Sequence, residues 1–146
     1  MLLLLGLVDF GKAFTMWIDQ THIANQAGRF AAVNSWTDSG GVKQPVETSL
    51  SAFEDAMEDD GDTKELRDSF DTIGSTPPNG VHVCFPATSN GAVGDSIRVD
   101  VRARYQFLGF IGDYAPSLVP AKLLSAHSVM RIERQYAPSF AGTHHC

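Results

Sequence analysis

The chain has 146 residues, a formal net charge of −6, 43% hydrophobic residues and 19% charged residues. That composition fits one domain with a core of its own and excludes wholesale disorder and a multi-pass membrane protein. It also speaks against a nucleic-acid binder, which needs clustered Lys and Arg to displace phosphate counterions.

From Leu2 to Val33 there is no proline, and Phe10, Phe14, Trp17, Thr21, Ala24, Gly28 and Ala31 recur at alternating spacings of four and three. This is a helical stripe. If unbroken, the helix is about 48 Å long at 1.5 Å per residue. The stripe changes from large aromatic residues at Phe10, Phe14 and Trp17 to small ones at Ala24, Gly28 and Ala31. Its second half is therefore expected to be covered by a closely approaching neighbour.

Asn34, Ser35, Gly40 and Gly41 end the helix, and Pro45 opens a new region with Thr48 or Ser49 as N-cap. Leu50, Phe53, Ala56 and Met57 give a second helix one apolar face. The run DDGD (Asp59 to Asp62) interrupts it before Leu66, Phe70 and Ile73 form a short third helix, and GSTPPNG (Gly74 to Gly80) stops helicity. The period then changes to two. Val81, Val83 and Phe85 alternate, as do Ile97, Val99, Val101, Ala103, Tyr105 and Phe107 against Arg98, Asp100, Arg102, Arg104 and Gln106. Leu124, Ala126, Ser128, Met130 and Ile132 form a third alternating run, after a long loop from Gly109 to Pro120; the tail after Tyr136 reads as irregular.

Helices first and strands afterward imply an α+β fold. A long N-terminal helix packs on a small antiparallel sheet of three to four strands, with two short helices between. Residues 1–33 form the helix. Residues 34–146 form an α+β part that makes one domain with the helix's second half.

Charge is unevenly distributed. Residues 47 to 71 carry ten acids against Lys64 and Arg67, whereas from Ile97 onward six bases face three acids. Opposite patches of this kind can steer one copy head to tail onto another within a Debye length of about 8 Å. The plainer reading of the acids is a solvated helix face.

Candidate chemistry is sparse. GDSI (Gly94 to Ile97) resembles the serine block of esterases, but Ser96 precedes a strand instead of following one and has no local acid–histidine partner near His127 or His144. EDDGD with Glu65 offers hard oxygen ligands, yet counting back from Gly61 places Ala56 first and Arg67 last in a calcium loop, so the EF-hand pattern fails. The tail THHC (Thr143 to Cys146) could hold a transition metal together with His82 or His127. His22 reads as an ordinary helix residue, and Gly40 and Gly41 lack the Lys and Ser or Thr of a phosphate loop. Cys84 and Cys146 are too few for a disulfide scaffold and are not at metal-ligand spacing. They are either one bridge in an oxidising compartment or two free thiols.

The stretch LLLLGLVDFGKAF, followed by ANQAGRFAAV, resembles the start of the TadE-like proteins of bacterial tight-adherence (Flp-type) pili. In that family an apolar membrane helix ends in a Leu-rich run, then Gly, two aliphatic residues, an acid, Phe, Gly and a base. Gly6, Leu7, Val8, Asp9, Phe10, Gly11 and Lys12 match it, and Ala27 to Ala32 match a later small-residue segment. VGDSIRVDVRARYQF and SVMRIE are similar to the family's turn into an alternating strand and to its closing strand; residues 46–73 share only the general plan.

The resemblance implies a pilin-like fold and a pseudopilin or minor pilin that helps assemble the pilus or a related secretion system. It implies no enzyme and no cofactor. Leu2, Leu3, Leu4, Leu5, Leu7 and Val8 would be the end of a membrane segment (residues 1–8), with residues 9–33 as stalk and core. Phe10, Gly11, Phe14, Trp17, Thr21, Ala24, Gly28 and Ala31 would mediate helix packing and assembly. The expected location is the bacterial cell membrane, single-pass, with the C-terminal part extracytoplasmic or in a surface filament. The expected partners are the membrane, other pilin-like subunits and pilus assembly proteins, in a homo- or hetero-oligomer without nucleic acid. Eight apolar residues span about 12 Å, whereas a bilayer core of about 30 Å needs about 20 residues, so the expectation is truncation: the true chain begins about 12 to 20 residues earlier, and Met1 is an internal residue or a misplaced start. Two other classes remain: a cell-envelope binding module using the 109–120 loop with Phe110 and Tyr114, and a hydrolase at Ser96.

Overall fold

The computed structural model describes residues 2–70, 79–107 and 121–146, apart from the side chains of Leu2, Leu3 and Glu65. The fold is α+β, as the sequence implies. Helix α1 (Leu2–Ala32) is followed by a short hairpin, β1 (Trp36–Thr37) and β2 (Lys43–Gln44), and a 3-10 turn (Val46–Thr48). Helices α2 (Leu50–Asp59) and α3 (Lys64–Phe70) lead into an antiparallel sheet of β3 (Gly80–Cys84), β4 (Ser96–Tyr105) and β5 (Lys122–Arg131), and α4 (Pro138–Thr143) closes the chain.

Helix α1 stops where the sequence suggests, through a Schellman arrangement. The amide of Ser35 donates to the carbonyl of Phe30 at 3.2 Å and that of Asn34 to Ala31 at 3.0 Å. Asn34 adopts φ 45°, a conformation that Asn tolerates better than most residues, so it stands where Gly usually stands. Ser49 is the N-cap of α2 by position, but its hydroxyl makes no capping bond. It donates instead to the Pro45 carbonyl and accepts from the Trp36 indole, both at 2.8 Å.

The hairpin and α4 are not apparent from hydrophobic period. The Asp38 carboxylate builds the hairpin turn by accepting from the amides of Val42 and Gly40 and from Gln44. These bonds, that from Val42 foremost, hold Asp38 below the usual carboxylate range. Pro138 starts α4, which packs Phe140 edge-on to Phe85 and stacked against Tyr136. Ile73, expected at the end of the third helix, lies outside the described residues.

In the three-stranded sheet, β4 is central. Val81 of β3 stands opposite Val101 of β4, and Val99 of β4 opposite Ser128 of β5. Ile97, Val99, Val101, Ala103 and Ala126 of β4 and β5 are buried on the side that meets α1, and Val81 and Val83 of β3 are buried beside α2; the core face of α1 is Ala13, Met16, Gln20, Ile23, Ala24, Ala27 and Ala31. Gly28 marks a close approach: a Cβ there would lie 2.7 Å from Ser128 Oγ and 3.1 Å from Met130 Cγ. Two polar ties hold α1 to its neighbours, one to the sheet and one to the start of α3. The Tyr105 hydroxyl reaches Asp9, 2.8 Å from Oδ1. Buried Asp19 accepts from the amides of Asp62 (3.1 Å) and Thr63 (2.8 Å) and from the Thr63 hydroxyl (2.9 Å), seating the start of α3 on α1.

Candidate assembly surfaces

The packing of α1 splits the expected stripe in two. Ala24, Gly28 and Ala31 are buried and Thr21 is half-buried, but Phe10 (64%), Phe14 (53%) and Trp17 (45%) are exposed. An ideal helix drifts about 20° per heptad against a strict four-three pattern. That drift is only about 60° over the three heptads from Phe10 to Ala31, and Phe10 and Gly28, about five turns apart, point the same way. The split comes from what lies beside the helix, since β5 covers Gly28 through Ser128 and Met130 whereas Phe10 has no such cover among the described residues. In the N-terminal half the covered face is offset around the helix, on Ala13, Met16 and Gln20. Coverage therefore begins earlier than the small-residue half.

What remains uncovered is a row of apolar side chains along one side of α1. Leu7, Phe10, Phe14, Trp17 and Ile18 are exposed, Phe14 and Trp17 have ring centroids 6.0 Å apart, and Leu4, Leu5 and Val8 extend the apolar surface toward the N-terminus. Gly6 and Gly11 have nothing within 4 Å of where a Cβ would stand, so neither is required by contacts within the described chain. Apolar area gathered in this way marks a surface that binds protein or lipid. No helix among the described residues is long and apolar enough to cross a membrane.

The charged regions separate into two surfaces. On α2, Asp55 and Asp59 face solvent, while Glu54 and Glu58 turn inward: their carboxylates accept from the β3 amides of Val83 (3.0 Å) and Val81 (2.9 Å). Burial pushes the Glu54 carboxyl above its ordinary range, a shift that the Val83 bond and the nearby His82 reduce. Gly80 adopts φ +124°, and a Cβ there would collide with the Glu58 carboxylate. The outer edge of β3 is thus sealed by side chains, one of the devices that keep a sheet edge from pairing with foreign strands. Charge reversal in this stretch would therefore disturb the fold at Glu54 and Glu58 and the surface only at Asp55 and Asp59.

The side of the sheet away from α1 carries Arg98, Asp100, Arg102 and Arg104 on β4, and Leu123, Ser125, His127, Val129 and Arg131 on β5. Buried Asp100 holds two of the arginines. Arg98 meets its Oδ1 through Nε at 2.8 Å and Nη2 at 2.7 Å, and Arg102 meets Oδ2 at 3.3 Å.

Among the described residues the remaining candidates do not assemble into a site. Ser96 is the first residue of β4, opposite Arg131, whereas His127 lies opposite Asp100 four positions along the strand. Among the described residues no group of three or more His, Cys, Asp and Glu is placed to hold a metal ion. The Cys146 thiolate is not available to the tail histidines, because Cys84 and Cys146 are bridged with Cα atoms 5.1 Å apart. Beside the bridge, the amide of Phe85 donates to His144 and that of Cys146 to Phe85. Phe110 and Tyr114, with the 109–120 loop, lie outside the described residues. Compared with known proteins, the chain matches no family model, and no curated protein or solved structure is significantly similar to it.

Proposed function

We propose that this protein is a structural subunit of the TadE-like kind, a pseudopilin or minor pilin that enters a tight-adherence pilus or a related secretion assembly through α1. The observation that carries this reading is the uncovered apolar row from Leu4 to Ile18 on a helix whose opposite side is packed by the sheet. A 31-residue helix of this form combines two tasks. Its second half is a core element of the globular part. Its first half offers lipid and neighbouring helices a surface that water disfavours by about 25 cal/mol per Å². Leu2 to Val8 then belong to a membrane segment, Asp9 and Lys12 lie at the exit into water, and the sheet and short helices are extracytoplasmic.

Cross-linking in cells tests the reading. Phe14→Cys and Trp17→Cys should each give cross-linked multimers in the membrane fraction, while Thr15→Cys, exposed on another side of the same helix, should not. Recovery of all three as monomers in the soluble fraction would remove both the anchor and the assembly role.

A further inference from the structure

We infer that the arginine side of the sheet is a docking surface for the acidic face of α2 on a second copy, so that subunits associate head to tail through their globular parts as well as through α1. The inference rests on the assembly role proposed above and names the second pair of surfaces it uses.

The sheet side is basic by construction. Arg98, Arg102, Arg104 and Arg131 all project from it, and Asp100 is its one acid among the described residues of β4 and β5. That acid is buried and shared by two guanidiniums, so it holds them in place while offsetting one of the four positive charges. Fixing the side chains in advance lowers the entropy lost when a partner docks. Arg104 and Arg131 are exposed, and no ion pair to either is found among the described residues.

The matching surface is on the same chain but cannot fold back onto the sheet, because α2 lies along the edge of β3. With Glu54 and Glu58 turned inward, the solvent side of α2 is Asp55 and Asp59 with the small residues Ser51 and Ala52. Asp55 and Asp59 are one turn apart, about 6 Å along the helix axis. Arg102 and Arg104 point to the same side of β4 about 7 Å apart. An α2 helix laid along β4 therefore sets two carboxylates against two guanidiniums, a pairing in which Arg forms directional, charge-assisted bonds. The two surfaces are different patches of one chain, so the contact is heterologous and repeats instead of closing on a two-fold axis.

Sedimentation velocity of the full chain, with Arg102→Gln/Arg104→Gln and Asp55→Asn/Asp59→Asn, tests this at about 50 and 500 mM NaCl, the association left at high salt being the helix-driven background. Wild type should associate about tenfold more tightly at the lower salt, and each double variant should lose that gain. A one-to-one mixture should form pairs that do not extend, since each variant keeps one intact surface. Arg104→Glu, which touches no partner of Asp100, should act in the same direction, so a folding defect at Arg102 would not mask the result. Variants that match wild type at both salts would overturn the inference while leaving the helix-mediated role standing; a chain monomeric at every salt would remove both. Loss in the arginine variant alone, with binding to anionic vesicles lost in parallel, would assign the surface to a lipid and overturn the second-copy reading.

Discussion

Glu54 and Glu58 connect the acidic helix to the sheet, and removing them tests whether α2 is held there by acceptors or by packing alone. In the double variant Glu54→Ala/Glu58→Ala the amides of Val83 and Val81 lose their carboxylates beneath a helix that still shields them. A hydrogen bond to a charged acceptor contributes about 1.5–3 kcal/mol. Water entering the vacated space recovers part of this, so the pair should cost about 3 kcal/mol, or about 9 °C in melting temperature for a chain of this size. Glu54→Gln/Glu58→Gln keeps an oxygen at each position and should retain most of that stability.

The charge itself has the opposite sign at Glu54. Burial raises its carboxyl above the ordinary value of 4.5, so the folded chain binds that proton more tightly than the unfolded one. Its contribution favours folding below the ordinary value and is lost as pH rises through the raised one. Glu54→Gln alone should therefore match or exceed wild type at pH 7, with any advantage shrinking as the pH falls toward 4.5. Urea unfolding followed by tryptophan fluorescence at pH 7 and 5 reads both effects. Should the Gln pair fall as far as the Ala pair, or the Ala pair lie within about 1 kcal/mol of wild type, the hydrogen-bond account of this edge is wrong.

Three further outcomes are expected from other parts of the fold. Asp19→Ala leaves the amides of Asp62 and Thr63 without their buried acceptor and should cost about 3 kcal/mol in chemical denaturation; a loss under about 1 kcal/mol would mean that water replaces the carboxylate. Gly28→Ala should be near neutral, since about 1 kcal/mol of helix propensity offsets the push on Ser128 Oγ, whereas Gly28→Leu should cost about 2 kcal/mol or more by prising α1 off β5, and equal melting temperatures would contradict the packing. Replacing Cys84 and Cys146 with Ser frees a loop of sequence separation 62 and should lower stability by about 4 kcal/mol, a loss that a reducing agent reproduces in wild type and not in the variant.

Much of the fold was legible because its period changes once, from helical to alternating, and because punctuation stands at the change. Asn34 and Ser35 ended α1 through backbone geometry that few residues accept, and Ser49 began α2. What period could not show was side-chain purpose. Ser49 occupies a cap position, yet its hydroxyl joins Pro45 to Trp36. The hairpin around Asp38 depends on one carboxylate gathering two amides and Gln44, and α4 on a proline start and an aromatic cluster assembled from Phe85, Tyr136 and Phe140. Neither has a repeat to detect. Glu54 and Glu58 looked like any other members of an acidic run, because nothing in their spacing says that they face a strand edge 23 or more residues away.

The aromatic half of α1 is the most informative departure. One stripe need not meet one neighbour along its whole length: Phe10 and Gly28 point the same way about five turns apart, yet only Gly28 is covered, by Ser128 and Met130 of β5. The sheet captured the C-terminal end of the pattern, at Ala24, Gly28 and Ala31, and recruited Ala13, Met16 and Gln20 to continue the contact. Phe10, Phe14 and Trp17 were left in water, although burying rings of that size is among the larger gains a fold can make. A four-three pattern serves a supercoiled helical neighbour better than a sheet. On the reading proposed above, a helix from another copy or another subunit covers those rings. If Phe10→Ser and Phe14→Ser raised the solubility of the isolated chain without reducing its assembly in cells, the rings would have to serve a lipid surface instead.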